Sequence, residues 1–235
     1  QNMHFLYVQD DFRVRKDLTL SAGLRQERQS IVGAWRWAPR AAVAWSPFAS
    51  GRTAVRAGAG AFFGWVDAQT YEYVRQLDGA HQQVRVIVDA RYPLPGDADA
   101  IGLPPGRAQL ATDLGQPRMI QASIGVEQQL MADLRLNATW TLRRGRRGLR
   151  GLNVNAPVDG RRPDPDSGPI VEIGSSARST VDGLTLQSTY SPAGKALFVS
   201  ATYTWSRSMN ETDGPTSLPA DAGHLGGRLQ LGVGL

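Results

Sequence analysis

Apolar and polar residues alternate with a period of two in segment after segment of this sequence. From Leu18 to Gln26, the residues Leu20 and Leu24 belong to an apolar set whose neighbours are small or polar. Because successive side chains of a strand point to opposite faces, this pattern predicts strands with one apolar and one polar face. The predicted strands lie near 3–14, 18–28, 38–48, 52–63, 117–130, 133–143, 180–191, 195–207 and 226–235.

The connections between these strands are alternately short and long. Those after the first, third, fifth and seventh strands are short, whereas the others run over 29–37, 64–116, 144–179 and 208–225. An antiparallel transmembrane barrel has this arrangement, with tight periplasmic turns and longer extracellular loops, and a sandwich or propeller does not require it. The sequence therefore predicts an all-β chain: a segment of an antiparallel transmembrane β-barrel with about nine strands.

The composition agrees with this class. No run of roughly 18 apolar residues occurs, so a transmembrane helix is not expected, and the content of 26 Gly favours β-structure over a helical bundle. The absence of cysteine fits the oxidising cell envelope and many cytosolic proteins alike. The first residues, 1–5, have no signal-peptide features, so we expect any export signal outside this chain.

The alternation also predicts which side chains meet lipid. Trp45, Trp140, Tyr203 and Trp205 occur on the apolar parity toward strand ends, as in the aromatic girdle of a membrane barrel, although core aromatics of a soluble sheet would show the same parity. Asp10 shares the apolar parity and is the exception. We expect residues 20, 22, 24, 122, 124, 136 and 138 to face lipid and residues 25, 56, 127 and 135 to face the lumen.

The sequences of the strands resemble those of a known family. The segment "FLYVQDDFRVRKDLTLSAGLRQE" (5–27) resembles the hairpin "YVQDDWRV…LTLNLGLRYE" of TonB-dependent receptors, especially the Oar-like group. The resemblance covers nearly the whole chain and is weakest in 64–116. Further matching segments follow in the family's order: "APRAAVAWSPF" (38–48), "TAVRAGAGAFFG" (53–64), "QASIGVEQQL" (121–130), "GLRGLNVNAP" (148–157), "VDGLTLQSTYS" (181–191) and "FVSATYTWSRSMNE" (198–211).

This resemblance implies a barrel of 22 strands that encloses an N-terminal plug, with a TonB box that contacts the inner-membrane energy complex. No segment here resembles the plug or the box, and the chain ends at Leu235 instead of the usual terminal aromatic residue. We therefore expect residues 1–235 to be part of the barrel domain, with signal peptide, plug, TonB box and C-terminal strands outside the chain. The implied partners are outer-membrane lipid and lipopolysaccharide, the TonB complex through the plug, and an unknown extracellular ligand.

The long connection 64–116 is the candidate ligand-binding loop. Loops of this length without structure of their own are uncommon and are usually functional or disordered, so we expect partial order, with a short helix near 67–76 and a strand near 82–90. Aromatic rings on such a surface suit a large amphipathic ligand, although the loop could instead only shield the barrel mouth. The candidate ligand-binding residues are Trp65, Tyr71, Tyr73 and Tyr92.

A basic run follows the sixth predicted strand and consists of Arg143, Arg144, Arg146, Arg147 and Arg150. At the exit to an extracellular loop, Arg144, Arg146 and Arg147 could contact lipopolysaccharide, or the run could be a solvated loop base. Clustered arginines also suit nucleic acid, but no aromatic residues are interleaved for base stacking. We therefore expect no nucleic-acid partner.

Two other motifs have simpler interpretations. "GAGAFFG" (58–64) lies inside a predicted strand without a following helix, so it lacks the geometry of a dinucleotide-binding turn. "PDPDSG" (163–168) offers Asp164 and Asp166, which are too few oxygen ligands for Ca²⁺, and we expect a loop turn.

Catalytic and metal sites are not predicted. His4, His81 and His224 have no metal-ligand spacing, and the adjacent Asp10 and Asp11 would point to opposite faces of a strand. The expectation is therefore a protein without catalytic residues, metal or cofactor.

Energised uptake in the bacterial outer membrane is the leading hypothesis for function. The alternative is a passive outer-membrane porin or adhesin-like barrel, which an upstream plug and TonB box would exclude. A third class, a soluble β-sandwich, would be soluble without detergent.

Overall fold

A computed structural model describes residues 2–82 and 104–218, and the backbone alone of 228–234. The described residues form ten strands and one helix. The elements are β1 (Met3–Arg15), β2 (Leu18–Gln29), β3 (Arg36–Trp45), β4 (Thr53–Phe63), α1 (Ala68–Gln76), β5 (Arg107–Leu110), β6 (Arg118–Met131), β7 (Leu134–Asn153), β8 (Ile170–Tyr190), β9 (Val199–Asn210) and β10 (Arg228–Gly234).

Nine of these strands form one continuous antiparallel sheet. Their order is β1-β2-β3-β4-β6-β7-β8-β9-β10, so each strand pairs with the next strand of the nine in the chain. The prediction of an antiparallel barrel segment with nine strands is confirmed, and the sheet is open rather than closed. The short β5 was not predicted; it pairs in parallel with β8.

The strand register brings all the apolar parities to one side of the sheet, which we call the apolar face. Residues 20, 22, 24, 122, 124, 136 and 138 lie on it, and residues 25, 56, 127 and 135 lie on the opposite, polar face. One row of paired residues on the apolar face consists of Phe12, Leu20, Val43, Ala57, Ile124, Trp140, Leu184 and Trp205. The next row, on the polar face, is Arg13, Thr19, Ala44, Arg56, Gly125, Thr139, Thr185 and Thr204.

The apolar face is uncovered. Ile124 and Trp140 are 48% and 50% exposed, and among the described elements no second layer packs on this face. A soluble β-sandwich would bury these side chains between two sheets, so that interpretation does not fit. Within the described ranges, no helix combines the length and apolarity needed to cross a bilayer.

The connections alternate as predicted. The turns β3–β4 and β8–β9 contain Gly51 and Gly194 with φ of 64° and 74°, a left-handed conformation that glycine adopts without a steric penalty. Because neighbouring strands are antiparallel, the strand ends that the long connections join all lie at the opposite end of the sheet, which we call the long-loop end.

The hairpin of β7 and β8 is longer than predicted. β7 runs to Asn153 rather than 143, and β8 begins at Ile170 rather than 180. The two strands continue to pair with each other beyond their last partners on β6 and β9. The period-two pattern fails in this extension because register shifts near Gly148 change the parity of the side chains. One consequence is that Trp140 lies inside β7 rather than near its end.

Candidate functional site

The chain just before α1 is attached to the polar face at the long-loop end. The Gln29 amide binds the backbone of Val66 twice: Nε2 donates to the Val66 carbonyl at 2.6 Å, and the Val66 N–H donates to Oε1 at 3.0 Å. Both residues are fully buried, and Gln29 shares the parity of Arg25 and the polar face. This pair attaches the start of the long connection to the barrel wall.

The N-terminus of α1 is capped, and a hydrogen-bonded turn follows the helix. The Asp67 carboxylate accepts the N–H of Thr70 at 2.6 Å and its hydroxyl at 3.0 Å, a typical N-cap. After the helix, the Asp78 carboxylate accepts the backbone N–H groups of His81 and Ala80. These hydrogen bonds, the one from His81 first, lower the pKa of Asp78 to about 2. The helix predicted near 67–76 is thereby confirmed.

The strand β5 joins α1 to the β7–β8 hairpin. The Ala108 N–H donates to the Leu77 carbonyl at 2.6 Å, just after α1, and β5 pairs with the start of β8. Ala108 and Ile173, on these two strands, are both buried, at 2% and 0% exposure, and Ala177 is buried at 2%. We call α1, β5, residues 111–117 and residues 147–178 of the β7–β8 hairpin the cap; it contains most of the buried apolar side chains of the described residues.

The tip of the β7–β8 hairpin is held by one asparagine. The Asn155 Nδ2 lies 2.8 to 3.0 Å from the carbonyl oxygens of Asp164, Ser167 and Gly168, and its Oδ1 accepts the Asp164 N–H. The Ser167 hydroxyl, followed by the N–H of Asp166, stabilises the Asp164 carboxylate and lowers its pKa. The Asp164–Asp166 segment is thus a hydrogen-bonded turn, as predicted. Among the described residues no cluster of metal-ligating side chains occurs.

The candidate ligand-binding aromatics are only partly placed together. Trp65, Tyr71 and Tyr73 are half-buried in or beside α1. Tyr71 and Tyr73 are two residues apart on a helix, so they point about 200° apart and cannot form one aromatic surface. Tyr92 and the predicted strand over 82–90, apart from Gln82, lie outside the described residues. The role of all four aromatic residues in ligand binding stays a prediction.

The polar face forms a shallow groove of about 410 Å³, on the side of the cap that faces the short turns. Its lining combines small residues with the charged Arg56 and Glu127. Glu127 forms an ion pair with Arg135 at 3.2 Å, and nearer the cap Glu27 pairs with Arg25 at 2.8 Å. Small, hydrogen-bonding and charged side chains make this face suitable for contact with water or a polar partner. Residues 58–63 of the "GAGAFFG" motif lie within β4, and Gly58 lines the groove, as the strand assignment predicted.

The basic run of β7 divides among different environments. The Arg144 Nη2 lies 2.9 and 3.1 Å from the two carboxylate oxygens of Asp182. Arg146 is exposed on the apolar face, opposite Arg118. Arg147 adopts a φ of 56°, and its side chain lies beside Gly115 in the cap. The run is therefore part of a strand rather than a loop base.

The buried Gln29 and Gln116 are two site residues that sequence reasoning missed. Gln29 binds Val66, whereas both amide atoms of Gln116 are buried without a hydrogen-bond partner. No local motif marks either residue, since each position is decided by contacts between distant segments.

Comparison with known families identifies the kind of domain that the chain contains. The family model described as "Outer membrane beta barrel domain" matches residues 32–226. Among curated proteins, none matches the sequence significantly.

Several solved structures share the fold. The siderophore receptor PirA from Pseudomonas aeruginosa is 16% identical with a TM-score of 0.57, and the match covers 88% of this chain and 36% of that one. The outer membrane transporter YddB from Escherichia coli is 12% identical with a TM-score of 0.65, and the match covers 89% of this chain and 24% of that one. A third structure is a mutant of the ferric enterobactin receptor PfeA from Pseudomonas aeruginosa in complex with enterobactin. It is 14% identical with a TM-score of 0.60, and the match covers 92% of this chain and 31% of that one. The chain thus spans about a quarter to a third of these proteins, and at such identities the likeness shows the fold alone.

Proposed function

Because this chain belongs to the outer membrane beta barrel domain family, we propose that it forms part of the wall of a TonB-dependent transporter in the bacterial outer membrane. In this proposal the apolar face contacts lipid and the polar face lines the lumen. The long-loop end is then extracellular, and the cap captures a ligand there.

The ordered cap is the observation that carries the proposal. A barrel needs only a short connection between β4 and β6, yet here the chain forms α1 and β5 and fixes both to the wall through Gln29 and β8. A structured loop over the lumen presents a defined surface to a ligand at low entropic cost. Receptors and transporters with the same fold include proteins named for siderophores and iron, which supports uptake of a scarce nutrient.

The proposed role is non-enzymatic. Plug movement driven by TonB would open the lumen, while the hydrogen-bonded wall stays rigid. The plug, the TonB box and the signal peptide belong to the whole protein that we propose, and the ligand class stays open among siderophore, oligosaccharide and peptide.

Growth of a strain that expresses the full-length protein tests this function. Ferric enterobactin, an oligosaccharide mixture and a peptide mixture serve as separate nutrient probes, each in a TonB-positive and a TonB-negative background. We expect one probe to support growth only when both this protein and TonB are present. Growth that needs this protein but not TonB would instead assign a passive porin, and adhesion without any growth effect would assign an adhesin-like barrel.

A further inference from the structure

Two arginines face each other across β6 and β7 on the apolar face. Arg118 and Arg146 are directly paired in the register, and both are exposed. Like charges placed directly opposite on neighbouring strands destabilise a sheet. Among the described residues neither arginine forms an ion pair. The arrangement therefore concentrates positive charge that the described part of the chain does not neutralise.

The pair lies at the upper limit of the apolar band. Below Arg118, the outward positions of β6 are apolar as far as Val126 and then reach Gln128, whose Oε1 accepts the Thr53 hydroxyl at 2.7 Å. The ten residue steps from Arg118 to Gln128 span roughly 33 Å along a strand. At the usual tilt of a membrane strand this corresponds to about 25 Å along the membrane normal, the height of a typical apolar band. Arg118 and Arg146 are therefore at the level of the headgroups of the outer leaflet.

Two neighbouring arginines on the apolar face, Arg144 and Arg207, form hydrogen bonds within the sheet. Arg144 is bound to Asp182, and its Nη1 also donates to the carbonyl oxygens of Arg143 and Val181 at 3.0 and 3.2 Å. Arg207 lies opposite Asp182 in the register without an ion pair to it, and its Nη2 donates to the Met209 Sδ. Among the described arginines of this part of the sheet, only Arg118 and Arg146 are exposed on the apolar face and directly opposite each other in the register.

We propose that Arg118 and Arg146 bind a phosphate group of lipid A, the membrane anchor of lipopolysaccharide. The planar guanidinium group binds phosphate oxygens in a bidentate manner, and a phosphate between the two side chains converts their repulsion into two attractive contacts. The acyl chains of the same lipid would lie against the apolar residues below. The inference requires only an outer-membrane barrel, so it is independent of the proposed TonB-dependent uptake.

Native mass spectrometry of the purified full-length protein in detergent tests the site. The probes are bisphosphorylated lipid A, dephosphorylated lipid A and inorganic phosphate. The test variant is Arg118→Gln combined with Arg146→Gln, and the matched control is Arg143→Gln, which removes a charge from the polar face of β7. Assembly of each variant is verified by its heat-dependent migration in gel electrophoresis, and the single Arg118→Gln variant replaces the double one if that does not assemble.

We expect the double variant to bind bisphosphorylated lipid A at least about tenfold more weakly, because two charge-assisted contacts are lost. Arg143→Gln should bind it as the parent does. In detergent without lipid A, the double variant should be at least as heat-stable as the parent, since the repulsion is gone.

Equal binding by the parent and the double variant would overturn the proposal. The same conclusion would follow if the parent bound dephosphorylated lipid A as tightly, if Arg143→Gln lost as much affinity, or if inorganic phosphate alone occupied the site at the same concentrations.

Discussion

Gln29 and Val66 form a reciprocal pair of hydrogen bonds, at 2.6 and 3.0 Å, between the end of β2 and the chain just before α1. Both residues are fully buried. Removal of the amide deletes both hydrogen bonds in a site closed to water, which costs about 0.5–1.5 kcal/mol for each bond. This contact therefore contributes to the order of the cap.

We predict that Gln29→Ala loosens the cap without affecting barrel assembly. Hydrogen exchange of the full-length protein should show faster exchange in 64–77, with little change in β2 and β3. Gln187→Ala is the control, because Gln187 lies exposed on the polar face. Unchanged exchange in 64–77 would mean that Asp67 and the β5 contacts hold α1 without Gln29.

The Arg144–Asp182 ion pair on the apolar face gives a second prediction. Arg144→Met leaves the Asp182 carboxylate unpaired beside the apolar band, and we expect a loss of about 1–3 kcal/mol in the free energy of unfolding. The double variant Arg144→Met with Asp182→Leu should recover most of this loss, because no unpaired carboxylate is left. Urea-induced unfolding in lipid vesicles measures both. A double variant no more stable than the single one would show that the pair is not coupled.

The two helical tyrosines should contribute unequally to ligand capture. Tyr71 and Tyr73 point about 200° apart on α1, so a ligand on one side of the helix contacts only one of them. Tyr71→Ala and Tyr73→Ala, each in the full-length protein, are compared in the growth assay with the probe that supports uptake. Equal and large losses in both variants would contradict this geometry.

Replacement of 67–113 by a short Gly-Ser linker tests the cap as a whole. The nine-strand sheet pairs independently of this segment, so we expect an assembled barrel that no longer supports ligand-dependent growth. Unchanged uptake by a correctly assembled variant would place the capture site elsewhere.

How much the sequence predicts depends on whether a contact is local. The period-two pattern placed Leu20, Ile124 and Leu136 on one face, because the parity of a regular strand is fixed by its geometry. The parity of Arg147 could not be read in this way, since the register shift and the positive φ there redirect the side chain. The four-residue β5 is too short to show a period, and it exists through its pairing with β8. The Gln29–Val66 contact is also invisible in the sequence, because it joins segments 37 residues apart.

The central claim, that the apolar face contacts lipid, is tested most directly by moving an arginine across the sheet. Ile124 lies near the middle of the span from Arg118 to Gln128 on the apolar face, and the adjacent Ser123 lies on the polar face, in the groove. In the full-length protein, Ile124→Arg should reduce the free energy of folding into lipid vesicles by about 2–4 kcal/mol, whereas Leu136→Arg, opposite Gln128 near the lower limit of the band, should cost about 0–1 kcal/mol. Ser123→Arg should be tolerated. Equal folding energies for Ile124→Arg and Ser123→Arg would contradict the assignment of the faces, and a larger loss for Ser123→Arg would reverse it.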